Sequence, residues 1–188
     1  MANCIKYLKK HDKHLLHAFK SCGVLTQEHI EHYISKTRLK CFIQDGYIKG
    51  SLAFCSNNRT EHIYFLTDKG KKFASKHCVL GHFYRSGSAT HDIAIANYYM
   101  ALPLEQRMTW MTEKELLNVH NQTSKNSVSE DLFEEIVEQN ISPTDGGYIR
   151  DGQLQLVEVI TRNYQWEHVL AKCLFATALN CRIEIIKI

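Results

Sequence analysis

The sequence predicts an α+β chain of two modules, a basic one ordered helix, helix, helix, hairpin, helix and an acidic α/β one after it. Three observations carry this. Apolar residues recur at helical spacing up to Gly46 and in strand-like runs from Tyr47 to Leu66. Residues 1–85 hold 15 Lys/Arg against 6 Asp/Glu, a net of +9, whereas residues 86–188 hold 8 against 14, a net of −6. Between the halves, "GHFYRSGSATHD" at 81–92 has the glycines, serines and capping Thr90 of a join. The expected organisation is 1–80, a linker at 81–90, and 91–188.

The first helix runs from His11 to Cys22, with Leu15, Leu16, Ala18 and Phe19 on its apolar stripe and Gly23 closing it. "LTQEHIEHYI" opens a second helix with Thr26 as N-cap, and "SKTRLKCFIQDG" a third, from Ser35 to Gly46. Leu39, Phe42 and Ile43 form the apolar side of the third helix. At about 100° per residue, Thr37, Lys40, Cys41 and Gln44 face outward, flanked by Lys36 and Arg38. "YIKGSLAFC" and "EHIYFL" then read as strands joined by the polar turn "SNNRT". Thr67 and Asp68 cap a closing helix, "KGKKFASKHC", whose Lys71 and Lys72 are expected to face away from a DNA groove.

Three short helices followed by a β-hairpin make a winged helix-turn-helix, whose third helix enters the major groove while the wing reaches a neighbouring phosphate. "LTQEHIEHYISKTRLKCFIQDGYIKG" and "YFLTDKGKKF" resemble winged-helix DNA-binding proteins. Lys36, Thr37, Arg38, Lys40 and Gln44 are the candidate recognition residues, since Arg and Lys suit guanine edges and phosphates and Gln can pair with adenine. Lys49, Asn57, Asn58 and Arg59 on the wing are expected to hold the backbone.

In the second module, "THDIAIANYYMAL" is an apolar helix ended by Pro103, "RMTWM" a strand, and "TEKELLN" a short helix. A polar loop is expected at 121–132 and an acidic helix at "DLFEEIVEQN". "GGYIR" and "QLQLVEVIT" are strands turning at Asp151-Gly152, followed by the helix "NYQWEHVLAKCLFATAL" and the strand "CRIEIIKI". That order, with "SPTDGGYIRDGQLQLVEVITR", resembles the PD-(D/E)xK nuclease-like fold at Pro143, Asp145 and Glu158. The resemblance implies two carboxylates that hold a divalent metal, Mg²⁺, which activates water. It departs at Thr144, which splits the Pro-Asp pair, and at Ile160, where the lysine is expected. Arg162 lies about 6.6 Å further along the strand and substitutes poorly. The module is therefore expected to be catalytically inactive, with no cofactor.

The whole chain is similar to the replication-relaxation family of plasmid and integrative-element proteins, through the winged helix, "THDIAIANYYMAL" with His91 and Asp92, "TWMTEKEL" and the Glu-Val hairpin segment. The resemblance implies a DNA-binding accessory protein that works in mobilisation, conjugation or replication. Such a protein binds double-stranded origin or operator DNA and recruits a relaxase or replication protein. Alternatives are a metal-dependent endonuclease, a transcriptional regulator and a protein-interaction module. A second copy of the chain is a further candidate partner, through "DLFEEIVEQN" or the last helix.

With 44% apolar residues, 23% charged and two prolines in 188, the chain reads as folded, and no apolar run nears the roughly 18–20 residues that cross a bilayer. The N-terminus lacks the core of a secretion signal, so a cytoplasmic protein with no membrane partner is expected. Its seven cysteines form no CxxC pair and read as reduced, mostly buried thiols. His11, His14 and His17, and "HCVLGH" at 77–82, match no zinc spacing and read as exposed or DNA-facing side chains, with no metal site.

Overall fold

The computed structural model describes residues 4–54, 60–84, 87–126, 141–162 and 164–188. Among them the chain is α+β, with eight helices, a three-stranded antiparallel sheet and a four-stranded mixed sheet. It divides into two compact units, Met1–Pro103 and Leu104–Ile188. No described helix is long and apolar enough to cross a membrane.

The first unit starts with α1, Lys10–Cys22, which buries Leu15, Leu16, Ala18 and Phe19 as its spacing requires. A short strand not foreseen from sequence, β1 at Val24–Thr26, leads into α2, Gln27–Glu31. The Thr26 Oγ1 accepts from the His29 N–H while the His29 ring accepts from the Thr26 N–H, a reciprocal cap. Ser35 caps α3, Lys36–Gln44, by accepting from Arg38 N–H at 3.3 Å. Leu39 and Phe42 are buried as expected, but Ile43 is 40% exposed, so the apolar side of α3 is narrower than the sequence pattern implies.

The hairpin β2, Ile48–Phe54, and β3, Thr60–Leu66, pairs Ile48 with Leu66 and Phe54 with Thr60. β1 adds to the other edge of β3, giving the order β1-β3-β2. The wing-tip candidates Asn57, Asn58 and Arg59 lie outside the described residues. Thr67 caps α4, Asp68–Cys78, by accepting from Gly70 N–H, and donates to Gly46 O at 2.6 Å. Gly70 has to be glycine, because a Cβ there would stand 2.0 Å from the Tyr47 carbonyl oxygen.

The join predicted at 81–90 does not separate two bodies. Tyr84 is buried and donates its N–H to Lys20 O, and α5, Ala89–Ala101, belongs to the first unit. Ala89 and Ile93 of α5 pack on Val24, Ala53 and Ile63, covering one face of the sheet. Ser88, rather than Thr90, is its N-cap. Of the six described cysteines only Cys22 is fully buried, fewer than the composition suggests.

The second unit opens with α6, Leu104–Met108, in place of the strand expected at "RMTWM". Only Met111–Thr112 is extended, as β4. The helix α7, Glu113–Asn126, continues through residues expected to be loop, and "DLFEEIVEQN" lies outside the described residues. β5, Gly146–Arg150, and β6, Gln153–Ile160, turn at Asp151 and Gly152, both at positive φ, as the Asp-Gly pair predicts. After α8, Trp166–Ala178, the strand β7, Arg182–Lys187, lies parallel to β6. Leu116, Leu156, Phe175 and Ala176 form the core. A Cβ on Gly146 would stand 2.3 Å from the Trp110 ring, so glycine is what lets the sheet lie against that indole.

Candidate functional site

In the first unit, α3 presents Lys36, Thr37, Lys40 and Gln44 to solvent, and Lys49 is exposed at the base of the hairpin. Lys36 lies 3.4 Å from Glu31, an exposed pair that leaves it available to a stronger anion. Gln44 Oε1 accepts from the Cys4 thiol at 3.3 Å. Arg38 is different. Its Nε donates to Asp12 Oδ1 at 3.1 Å and its NH2 to Asp12 Oδ2 at 2.6 Å, a bidentate pair with a carboxylate that is 1% exposed. The same NH2 donates to Tyr7 O, and the guanidinium sits over the Phe42 ring. Arg38 therefore ties α1 and the residues before it to α3, its guanidinium committed to Asp12 and Tyr7 O.

The histidines are also committed in part. His17, expected to face outward, is buried with its ring nitrogen 3.2 Å from the Tyr99 hydroxyl. His29 Nε2 meets Asn97 Oδ1 at 2.8 Å, and burial pushes its pKa below the usual value. Both contacts lock α5 onto the helices.

In the second unit the sheet register brings the two predicted carboxylates together. Gly146 pairs with Val157, so the next antiparallel step sets Asp145 opposite Glu158. Asp145 N–H donates to Glu158 Oε2 at 3.0 Å, and Val159 N–H donates to Asp145 Oδ2 at 2.8 Å. Tyr164 OH donates to Glu158 Oε1. Burial, then the charge of Asp145, raises the pKa of Glu158, while burial and the bond to Glu158 push that of Tyr164 up strongly.

Sequence reasoning sought a cation on the strand, at Ile160 or Arg162. Arg162 is exposed instead, and the cation comes from α8: Lys172 Nζ lies 3.5 Å from Glu158 Oε1 and donates to Pro143 O. Helical periodicity shows that Lys172 lies on α8, but only the docking of α8 on the sheet shows where its ammonium ends.

Among the described residues no three His, Cys, Asp or Glu side chains converge as a ligand set. Two carboxylates are nevertheless what a hard cation such as Mg²⁺ requires, since it keeps several waters. Each carboxylate oxygen has two lone pairs, so the bonds from Asp145 N–H, Val159 N–H and Tyr164 leave ligating capacity. Burial and then the Asp145 charge raise Glu158, and both are penalties on its ionised form that such a cation would offset. Asp145 and Glu158 therefore fit a divalent oxygen-seeking ion, with Lys172 beside them. No family model, curated protein or solved structure matches the chain.

Proposed function

We propose that the chain is a double-stranded DNA-binding accessory protein, its first unit a winged helix and its second a PD-(D/E)xK-like scaffold. The observation that carries this reading is the exposed polar side of α3, Lys36, Thr37, Lys40 and Gln44, with Lys49 exposed on the hairpin strand that follows. A nine-residue helix is about 13.5 Å long, a size the major groove admits, and the exposed Lys49 offers a phosphate contact from the hairpin. The order β1-β3-β2 with α1 to α3 supports the same reading. Mobilisation, conjugation or replication of a mobile element, with a relaxase or replication protein as partner, is the setting implied by the sequence resemblance.

Fluorescence anisotropy with labelled duplexes, including origin fragments of the element, tests this at two salt concentrations. Binding should weaken with a log–log slope of about −0.9 per neutralised phosphate. Gln44→Ala should lose discrimination among sites by roughly 1–3 kcal/mol, while Lys49→Ala weakens all sequences alike. A chain that binds no duplex in a salt-sensitive way refutes the reading.

Lys172 favours a second reading, a metal-dependent nuclease. A divalent ion bound there supplies Lewis acidity and an activated water. Asp145 and Glu158 would hold it, and Lys172, paired with Glu158, would be the cation beside it. Mg²⁺ should then raise the melting temperature of the wild type and leave Asp145→Asn unmoved. Mg²⁺-dependent nicking of plasmid DNA should disappear in Glu158→Ala. No thermal shift and no nicking remove this reading and leave the first untouched.

A further inference from the structure

A groove of about 700 Å³ in the first unit, outside the α3 surface, runs between the N-terminal arm, α1 and α4. We infer that it binds single-stranded nucleic acid, with phosphates held by its lysines and a base stacked at His77. Lys69, Lys72, Phe73, Lys76 and His77 recur at three- and four-residue steps and so share one face of α4. Lys6 and Lys13 add two more cations from the arm and α1, and among the described residues no Asp or Glu lines the groove. Of the acids nearby, Asp12 is engaged by Arg38 and the Asp45 carboxylate by the N–H groups of Cys4 and Ile5. Asp68 is exposed in the first turn of α4 and does not line the groove.

The floor is a column of rings. Tyr47 stacks on Phe73 at 4.2 Å, and Phe73 meets His77 at 4.6 Å. Lys69 Nζ closes the Tyr47 end, 5.0 Å from that ring, whereas His77 is exposed. A base can therefore extend the column on His77, and the exposed ring of Tyr7 at the rim offers a second face. A lysine-lined concavity with aromatic faces is the pattern that single strands occupy, because their bases are free to stack. A duplex keeps its base faces inside its own stack and would leave these rings unused. The inference stands on residues separate from the α3 surface and holds whether or not α3 reads a duplex.

The test uses the full chain and a fluorescein-labelled oligo-dT of about 20 nucleotides, longer than the site sizes of single-strand binding folds. Wild type should bind with a salt slope of about −0.7 per phosphate contacted. Lys72→Glu with Lys76→Glu should weaken binding about tenfold or more and flatten the slope by about 1.4. His77→Ala should weaken it about tenfold with the slope unchanged, since it removes stacking and leaves the lysines. Lys114→Ala, at an exposed lysine of the second unit, should leave oligo-dT binding intact. Tyr7→Ala and His77→Ala keep the test open if the charge-reversed chain does not fold. The inference is overturned by a wild type without salt-sensitive oligo-dT binding, by groove variants that bind it unchanged, or by equal losses for duplex and single strand.

Discussion

Arg38 shows how a residue type chosen for DNA recognition can be claimed by the fold. Its outward flank position is legible from the helical period, but its partner Asp12 lies 26 residues earlier on another helix. Arg38→Ala leaves a buried carboxylate without its cation, so it should cost about 3 kcal/mol of stability in denaturant titrations. Any loss of DNA affinity should track the unfolded fraction, without a change in site preference. His29 provides a pH probe. Its pKa is lowered in the folded state, so the unfolded chain takes up the proton first. Stability is then complete above about 6.5 and lost as pH falls through that value. His29→Gln should flatten the melting temperature between pH 7.5 and 5.5, and an unchanged slope would remove His29 as the cause. Glu158 has the opposite sign, because its raised pKa makes the folded state the better proton acceptor. Its contribution is present at low pH and lost as pH rises from about 4.5 through the folded value. Lys172→Met removes the cation that holds the ionised form, so it should destabilise the second unit more at pH 8 than at pH 5. Both tryptophans, Trp110 and Trp166, lie in that unit, so their fluorescence reports its melting alone.

Elements with a local cause were legible from the residues. Thr26, Ser35 and Thr67 cap the helices they were expected to cap, and Asp151-Gly152 turns the hairpin, because each device acts within four residues. The register that sets Asp145 against Glu158 follows from that turn. The misses are elements too short for a period or decided by distant packing. β1 has three residues, and the strand expected at "RMTWM" gives way to a helix through Met108 with only two extended residues after it. Ile43 fits an apolar stripe, yet nothing covers it fully. The element most sharply limited by a neighbour is α4, which rests on Tyr47 through Gly70. Gly70→Ala should push the helix off that carbonyl and cost roughly 1–3 kcal/mol, seen as a lower urea midpoint. A midpoint equal to that of the wild type would mean that α4 shifts without cost.

For the whole molecule, charge asymmetry pointed to two modules, and the packing moves their boundary. Residues 1–103 hold 15 Lys/Arg against 7 Asp/Glu, so the unit that includes α5 still carries a net +8. Composition put α5 with the acidic half because the glycine- and serine-bearing stretch precedes it, whereas its contacts are tertiary. It covers Val24, Ala53 and Ile63, meets His29 through Asn97, and places Tyr99 beside His17. A fragment of residues 1–103 should therefore melt cooperatively, and its affinity for duplex DNA in the anisotropy titration should equal that measured for the full chain. A fragment of residues 1–80 exposes that sheet face and removes the Tyr99 and Asn97 contacts of two buried histidines, which costs both apolar burial and hydrogen bonds. It should lose its cooperative transition in circular dichroism and self-associate in sedimentation. If it melts as sharply as 1–103 and stays monomeric, α5 is dispensable to the first unit and the boundary belongs at residue 80.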